Sequence, residues 1–307
     1  MRDPPFDEDH GKRNKDYELR ACTWNIRSLN WEDAAAHLVD VLVKIKADVT
    51  AVQEMRWTGQ EQRQVGPCGI YYSGHIKECK FGVGFVVGER LRRRVFSFTP
   101  ENERLDTIHI KARFFNISLI CAHAPTEEKD DVTKDACYEC LERTYESCPQ
   151  HDVKIVLGDF NARVGKEGIF GTTVGKFSLH EETTPNGLRL IDFAGARNII
   201  IFSTRFQHKK IHQATWRSPD RKTTNHIDHF VIDVGHVSSV LDVRVLRGPN
   251  IDSDHYIVAA KNRTRLCAAK NALKQTKGRF DFEKLQSQRT AERFSTRLAP
   301  QLSESTR

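Results

Sequence analysis

The sequence predicts an α/β protein in which two mixed β-sheets pack face to face with helices outside. Three observations lead there. Short apolar strands alternate with helical segments between Leu19 and Asn262. Too many of those strands follow one another without a helix between them for a purely parallel sheet. The helical segments carry their apolar residues on one face.

The elements follow in order. "LRACTWNI" reads as a strand. A helix running to Lys46 comes next, with Ala35, Leu38, Val39, Leu42 and Ile45 on one face and Asn30 as its expected cap. "DVTAVQEM" is a second strand, and "FGVGFVVG" is an apolar strand whose glycines permit close approach. "RRVFSFT", "LDTIHIKAR" and "NISLICAHAP" read as a meander. A helix from Asp131 to Ser147 precedes the strand in "KIVLGDFNARVG". "NGLRLIDFAGARN" is a helix with Asn186 as its expected cap. "IIIFSTRF", "ATWRS", "IDHFVID" and "DHYIVAAK" are the remaining strands, and no internal repeat is visible.

Composition bounds the function. The chain has 307 residues, 38% of them hydrophobic and 29% charged, as in a soluble globular protein with polar extensions. No apolar run is long enough to cross a bilayer. The N-terminus, "MRDPPFDEDHGKRNKDYELR", has no apolar core segment and so is not a secretory signal. A reducing compartment, nucleus or cytoplasm, is expected, with the eight cysteines as free thiols. Cys137, Cys140, Cys148 and His151 have a spacing that could be read as a zinc site. Helical periodicity explains it better, since Cys137, Leu141, Thr144 and Cys148 share a face.

Three regions are expected: a charged extension over residues 1–18, a folded body over 19–262, and a basic tail over 263–307 with an amphipathic helix. From Lys261 onward there are twelve Lys or Arg against four Asp or Glu, while the whole chain nets +7. The basic excess is thus a property of the tail, suited to nucleic acid or to solvation. "ERLRRR", from Glu89 to Arg94, is a second basic cluster, read as a seat for a phosphate backbone or as a solvated loop.

The chemistry gathers at strand ends. In "KIVLGDFNARVG" a buried strand ends in Gly158, Asp159, Phe160 and Asn161, which is either a turn or a metal and phosphate site. If the strand continues, Asp159 and Asn161 share a face, Phe160 turns to the core, and Gly158 lets the backbone bend near substrate. Other strands end in the same way, at Asn25, Glu54, His123, Asp228, and the run Asp252, Ser253, Asp254, His255. Each alone suits a cap or turn; together they resemble the loops that carry chemistry on a sheet frame. Glu54 and the aspartates are hard oxygen donors, suited to Mg2+ or Mn2+ rather than zinc. His255 can act as a proton donor or acceptor near neutral pH, and a carboxylate such as Asp228 can orient its ring and support its charged form. Asn25 and Asn161 offer amide donors to phosphoryl oxygens. Arg27 and Trp216 are further candidate substrate contacts. With no Ser or Cys nucleophile in an elbow motif, water activated beside a metal is the natural attacker. The class inferred is metal-dependent hydrolysis of a phosphate ester.

"TWNIRSLN", "QEMRW", "HAPT", "GDFNARVG", "NHIDHF" and "SDHYIV" resemble, in order, the motifs of the endonuclease/exonuclease/phosphatase superfamily, which includes DNase I and the abasic-site endonucleases. "GKFSLHEETTPNGLRLIDFAGARN" and "ATWRSPDRKTTNHIDHFVID" are similar to the endonuclease domain of RTE-type non-LTR retrotransposons and to sequences called craniofacial development protein 2-like. The tail resembles the linker that precedes reverse transcriptase in those elements, and no reverse transcriptase follows. The resemblance implies a four-layer α-β-β-α sandwich and a Mg2+-dependent endonuclease that nicks duplex DNA as a monomer, off the membrane, without a small-molecule cofactor. It implies Glu54 as the principal metal ligand with Asn25 beside it. Asp159 would position or activate water and contact the metal, and Asn161 would bind the phosphate. Asp228 would orient His255, and Asp254 would assist the metal or the histidine. His123 stands where abasic endonucleases commonly have Tyr. His226 stands where related elements often have Gln, at a position expected to affect substrate contact. Abasic-site repair, a small-molecule phosphatase or phosphodiesterase, and a non-catalytic binding protein are the alternatives.

Overall fold

A computed structural model of the chain describes residues 18–264. The charged N-terminal extension, apart from Glu18, and the tail with its expected amphipathic helix lie outside the described residues.

The first sheet has seven strands: β1 (Glu18–Asn25), β2 (Val49–Gln53), β3 (Gln60–Val65), β4 (Cys68–Ser73), β5 (Val83–Val87), β14 (Val240–Leu246) and β15 (Ile257–Arg263), in the order β14-β15-β1-β2-β5-β4-β3. The second has six: β6 (Val95–Asn102), β7 (Leu105–Ile110), β8 (Ile117–His123), β9 (Val153–Asp159), β10 (Ile199–Ile201) and β13 (Asp228–Asp233), in the order β10-β13-β9-β8-β7-β6. A short hairpin, β11 (Trp216–Arg217) with β12 (Thr224–Asn225), forms a third, two-stranded sheet.

Strand alternation explains the layering. In β1, Leu19 and Ala21 enter the core between the sheets, while Cys22 and Trp24 face outward under α1 (Ala34–Lys44). In β9, Ile155 and Leu157 face the central core, while Val156 faces α3 (Asp131–Ser147) and α4 (Pro185–Ala196). The layers are therefore helix, sheet, sheet, helix, the sandwich expected.

Several local expectations are corrected. α1 begins at Ala34 after Asp33, not after Asn30, whose backbone N–H turns to Ser28 Oγ instead. Thr184, not Asn186, caps α4 by accepting from the Gly187 N–H, with Pro185 in the first turn where its missing donor is harmless. "ERLRRR" contains a short helix, α2 (Glu89–Arg92). It follows β5, which runs antiparallel to β2, so it lies at the opposite end of the sheet from Glu54. Arg90 there is paired with Asp48. "IIIFSTRF" is a strand only through Ile201. Lys261 to Arg263 belong to β15 and pair with β1, so the tail starts after them.

Candidate active site

Topology brings the polar strand ends together. β1 and β2 are parallel, as are β8 and β9, each pair joined through a helix. Both strands of each pair therefore end at the same edge. Asn25 ends β1, Glu54 follows β2, His123 ends β8 and Asp159 ends β9. His123 and Asp159 are in register, and Asp228 at the start of β13 is in register with Asp159 from the other side. His255 comes from the other sheet, just before β15. Ser253 Oγ donates to the Asn25 carbonyl, and Trp24 Nε1 donates to the His255 carbonyl, which ties that loop to β1.

The side chains meet around Asn25. Its Nδ2 donates to Glu54 Oε1 at 3.0 Å and to Asp159 Oδ2 at 3.0 Å. His123 Nε2 lies 3.9 Å from Glu54 and 4.0 Å from Asp159. His255 Nδ1 lies 3.0 Å from Asp228 Oδ2, and its Nε2 lies 3.8 Å from Asp159 Oδ2. Asn25, His123, Asp159, Asp228 and His255 are buried, and Glu54 is half-buried.

Burial sets the charge states. It opposes the charged form of His255, but the Asp228 and Asp159 carboxylates outweigh it and push the ring up to about 9. Burial and the negative charge of Asp228 raise Asp159. Burial lowers His123, and the nearby carboxylates do not fully offset it. Burial would raise Glu54, but the Asn25 hydrogen bond and Arg56 bring it below the usual carboxylate range. The site thus combines an ionised Glu54, a protonated His255 and a neutral His123.

The turn and site readings of "GDFN" merge. β9 stops at Asp159, and Asn161 has φ of 47°, so the pair does not share a strand face. The Asn161 N–H instead donates to Asp159 Oδ1 at 2.9 Å, and its Nδ2 donates to the Ala124 carbonyl at 3.0 Å. Phe160 is in the core as expected. Gly158 is needed for another reason than substrate: a Cβ there would lie 1.8 Å from the Ala122 carbonyl of β8.

The other expected residues sit at the rim. Asp254 Oδ2 accepts from Trp216 Nε1 at 3.0 Å, and its Oδ1 lies 3.6 Å from Arg27 Nε. His226 is not open to substrate: it is buried, with its ring stacked on His229 at 4.8 Å between centroids. Among the described residues, Asp159, Asp228 and His255 form a group tight enough to hold a metal ion. Asp228 is already committed to His255, however, so the Glu54 and Asp159 oxygens on either side of Asn25 are the more available hard donors. Cys137, Cys140 and Cys148 are free thiols on or beside α3 and form no such group among the described residues.

Two cavities open beside the site; Arg56 lines both, and Glu54 lines the smaller. One, of about 340 Å³, is lined also by Arg27, Trp31 and Asp252. The other, of about 270 Å³, is lined also by Lys80, Phe81, Arg104, His123 and Lys129. Arg27, Glu54, Arg56, Asn161 and Asp252 all have positive φ, the kind of backbone strain that clusters at functional sites. Two residues here were not expected from sequence. Arg104, on the β6–β7 turn, lies 3.9 Å over the Phe81 ring and donates to the His123 carbonyl. Buried Asn186 donates to the Pro125 and Asn161 carbonyls and so braces two site loops. The only sequence signal for Arg104 is a cation in a turn; Asn186 resembles an ordinary cap.

A sequence model of the Endonuclease/Exonuclease/phosphatase family matches residues 22–255. Craniofacial development protein 2 of Bos taurus is 30% identical over 256 residues, which cover 81% of this chain and 43% of that protein. The chain thus spans less than half the length of the curated relatives it matches. Among solved structures, the endonuclease domain of TRAS1, a telomere-specific non-LTR retrotransposon, is similar with a TM-score of 0.54 at 14% identity, covering 81% of this chain and 99% of that one. The APE2 catalytic domain of Xenopus laevis is similar with a TM-score of 0.63 at 16% identity, covering 82% and 94%. At such identities these structures speak for the fold.

Proposed function

The chain belongs to the endonuclease/exonuclease/phosphatase family, and from its site we propose that it is a Mg2+-dependent endonuclease that nicks DNA, of the kind that non-LTR retrotransposons use on their target sites. The observation that carries this reading is the placement of Asn25 Nδ2 between Glu54 and Asp159, with the Asp228–His255 pair beside Asp159.

Glu54 and Asp159 would hold the divalent cation, with Asn25 beside them. When bound, the ion supplies Lewis acidity at a phosphoryl oxygen and neutralises charge that builds there. The chain's own residues do the rest. Asp159, raised by burial, accepts a proton from the attacking water. Protonated His255 presents Nε2–H to the phosphoryl oxygens, while Asp228 holds Nδ1 and fixes the ring. Asn161 has a second amide N–H for the phosphate beyond the one given to Ala124. Neutral His123 can donate to the phosphate without adding a charge.

The cations around the two cavities favour a polynucleotide over a small phosphate ester. Arg27 and Arg56 line one cavity, and Arg56, Lys80, Arg104 and Lys129 line the one that Glu54 also lines, so phosphates flanking the scissile one find cationic partners there. The test is nicking of supercoiled plasmid with Mg2+, followed by mapping of the nicks, alongside an abasic duplex, inositol phosphates and sphingomyelin. Nicking of intact plasmid supports the reading. Cleavage confined to the abasic duplex makes the protein a repair enzyme, and hydrolysis confined to the small substrates makes it a phosphatase or phosphodiesterase. Binding of DNA without hydrolysis makes it a binding protein.

A further inference from the structure

Asp228 and His255 come from different sheets, yet their side chains must keep one geometry. A segment between them does the joining. Thr215 is fully buried, just before β11. Its Oγ1 accepts from the Ile227 N–H at 3.0 Å and from the Asp228 N–H at 3.2 Å. Its carbonyl accepts from the N–H of Tyr256, the residue after His255, at 2.6 Å. Its own N–H donates to the Asn225 carbonyl at 2.8 Å. The next residue, Trp216, forms an antiparallel bridge with His255.

We propose that Thr215 is a positioning residue that holds the Asp228 carboxylate and the His255 ring in register across the two sheets. The inference rests on reading that pair as part of the hydrolytic site. A hydroxyl has one proton and two lone pairs. Here both lone pairs are directed at main-chain N–H groups that open β13, and the hydroxyl proton faces the Asn225 carbonyl at 3.5 Å. The sheet does not take over these bonds: the ladder of β13 with β9 begins only at Asp228, and β10 on its other side pairs only with Val231 to Asp233. Without Oγ1, two buried N–H groups lack a partner, and the start of β13 can shift relative to the loop carrying His255. An ångström of displacement in such a pair costs about a hundredfold in rate.

The test compares Thr215→Val, which keeps the shape, with Thr215→Cys, a poor acceptor, and Thr215→Ser, which keeps the acceptor. Plasmid nicking gives kcat and KM, and proton NMR follows the low-field imidazole N–H that His255 shares with Asp228, assigned by its absence from His255→Gln. The expected result is a loss of about a hundredfold in kcat for Val and Cys with KM little changed. Ser should stay close to wild type, and the low-field resonance should vanish in Val and Cys and persist in Ser. If Val does not fold, the Cys and Ser pair decides. Wild-type kcat with an intact resonance in folded Val or Cys overturns the proposal, as does a Ser variant as impaired as Val. Absence of nicking by the wild-type protein would remove the nuclease reading, while the resonance would still decide whether Thr215 sets the Asp228–His255 geometry.

Discussion

The backbone N–H of Asn161 donates to the carboxylate of Asp159 at 2.9 Å, so one Asx turn presents both residues to the site. The turn itself needs only an oxygen at Asp159 Oδ1 and a residue that tolerates positive φ at 161. Its chemistry needs more. That difference separates folding from function in the following variants.

Asp159→Asn keeps an acceptor for the turn and removes the base. Asn161→Asp keeps a residue suited to positive φ and places a negative charge against the phosphate. Each is expected to lower kcat by about a hundredfold or more, the scale of losing a base or a transition-state donor. Circular dichroism should stay close to wild type while Tm falls modestly, because Asn161→Asp loses the bond to the Ala124 carbonyl and Asp159→Asn weakens the one from Asn25. Two variants with ordinary kinetics would leave "GDFN" as a turn without catalytic work.

Metal dependence is tested at Glu54. EDTA should abolish nicking, Mg2+ or Mn2+ should restore it, and a zinc-selective chelator should leave it unchanged. Glu54→Gln keeps the backbone demands of a residue whose φ is 56° and removes the charge. Its rate should fall by about a hundredfold or more. Isothermal titration should show weaker Mn2+ binding; unchanged Mn2+ affinity would move the ion elsewhere.

Much of this was legible because the chemistry interrupts apolar strands. Asn25, Glu54, His123 and Asp159 each follow a buried run, and a polar residue there stands out against the pattern. Other features left no such mark. β3 reads "QEQRQV", an exposed edge strand with no apolar alternation to reveal it. Arg104 and Thr215 make their site contacts more than ten residues away in sequence, and nothing in their own neighbourhoods distinguishes a cation that lines a cavity or a buried acceptor. The true caps are hidden because Asn30 and Asn186 have favourable chemistry at nearly the right place, while α1 follows Asp33 and Thr184 with Pro185 opens α4.

The basic tail is tested by truncation. The cut belongs after residue 264, because Lys261 to Arg263 pair with β1 and their loss would strip the edge of that strand. Residues 265–307 carry ten Lys or Arg against four Asp or Glu. Removing them should weaken DNA binding and flatten its salt dependence, since fewer counterions are released. Nicking at low salt and saturating DNA should survive. Loss of turnover with unchanged binding would place the tail in the catalytic machinery.

The last prediction concerns acid stability. His229 is fully buried, with Nε2 against the Ala162 carbonyl at 2.8 Å and Nδ1 against Ser203 Oγ at 2.9 Å. A neutral ring satisfies both, donating from Nε2 and accepting at Nδ1. Burial lowers its pKa from 6.5 to about 4, against the smaller support of the Ala162 carbonyl. Burial and Arg163 lower His180, which accepts from the His226 N–H, to about 4 as well. In the unfolded chain these rings titrate near 6.5, so below that pH the unfolded state binds protons that the folded state refuses. The stability they contribute is complete above about 6.5 and declines as pH falls toward 4. For His229 the drop from 6.5 to about 4 corresponds to about 3 kcal/mol in order of magnitude. Tm measured from pH 7 to pH 4 should therefore fall steeply below pH 6.5. His229→Gln has a donor and an acceptor but no titration, so it should flatten that fall even if it lowers Tm at pH 7. A variant whose Tm tracks the wild type at a constant offset across the range would show that His229 does not set the acid limb.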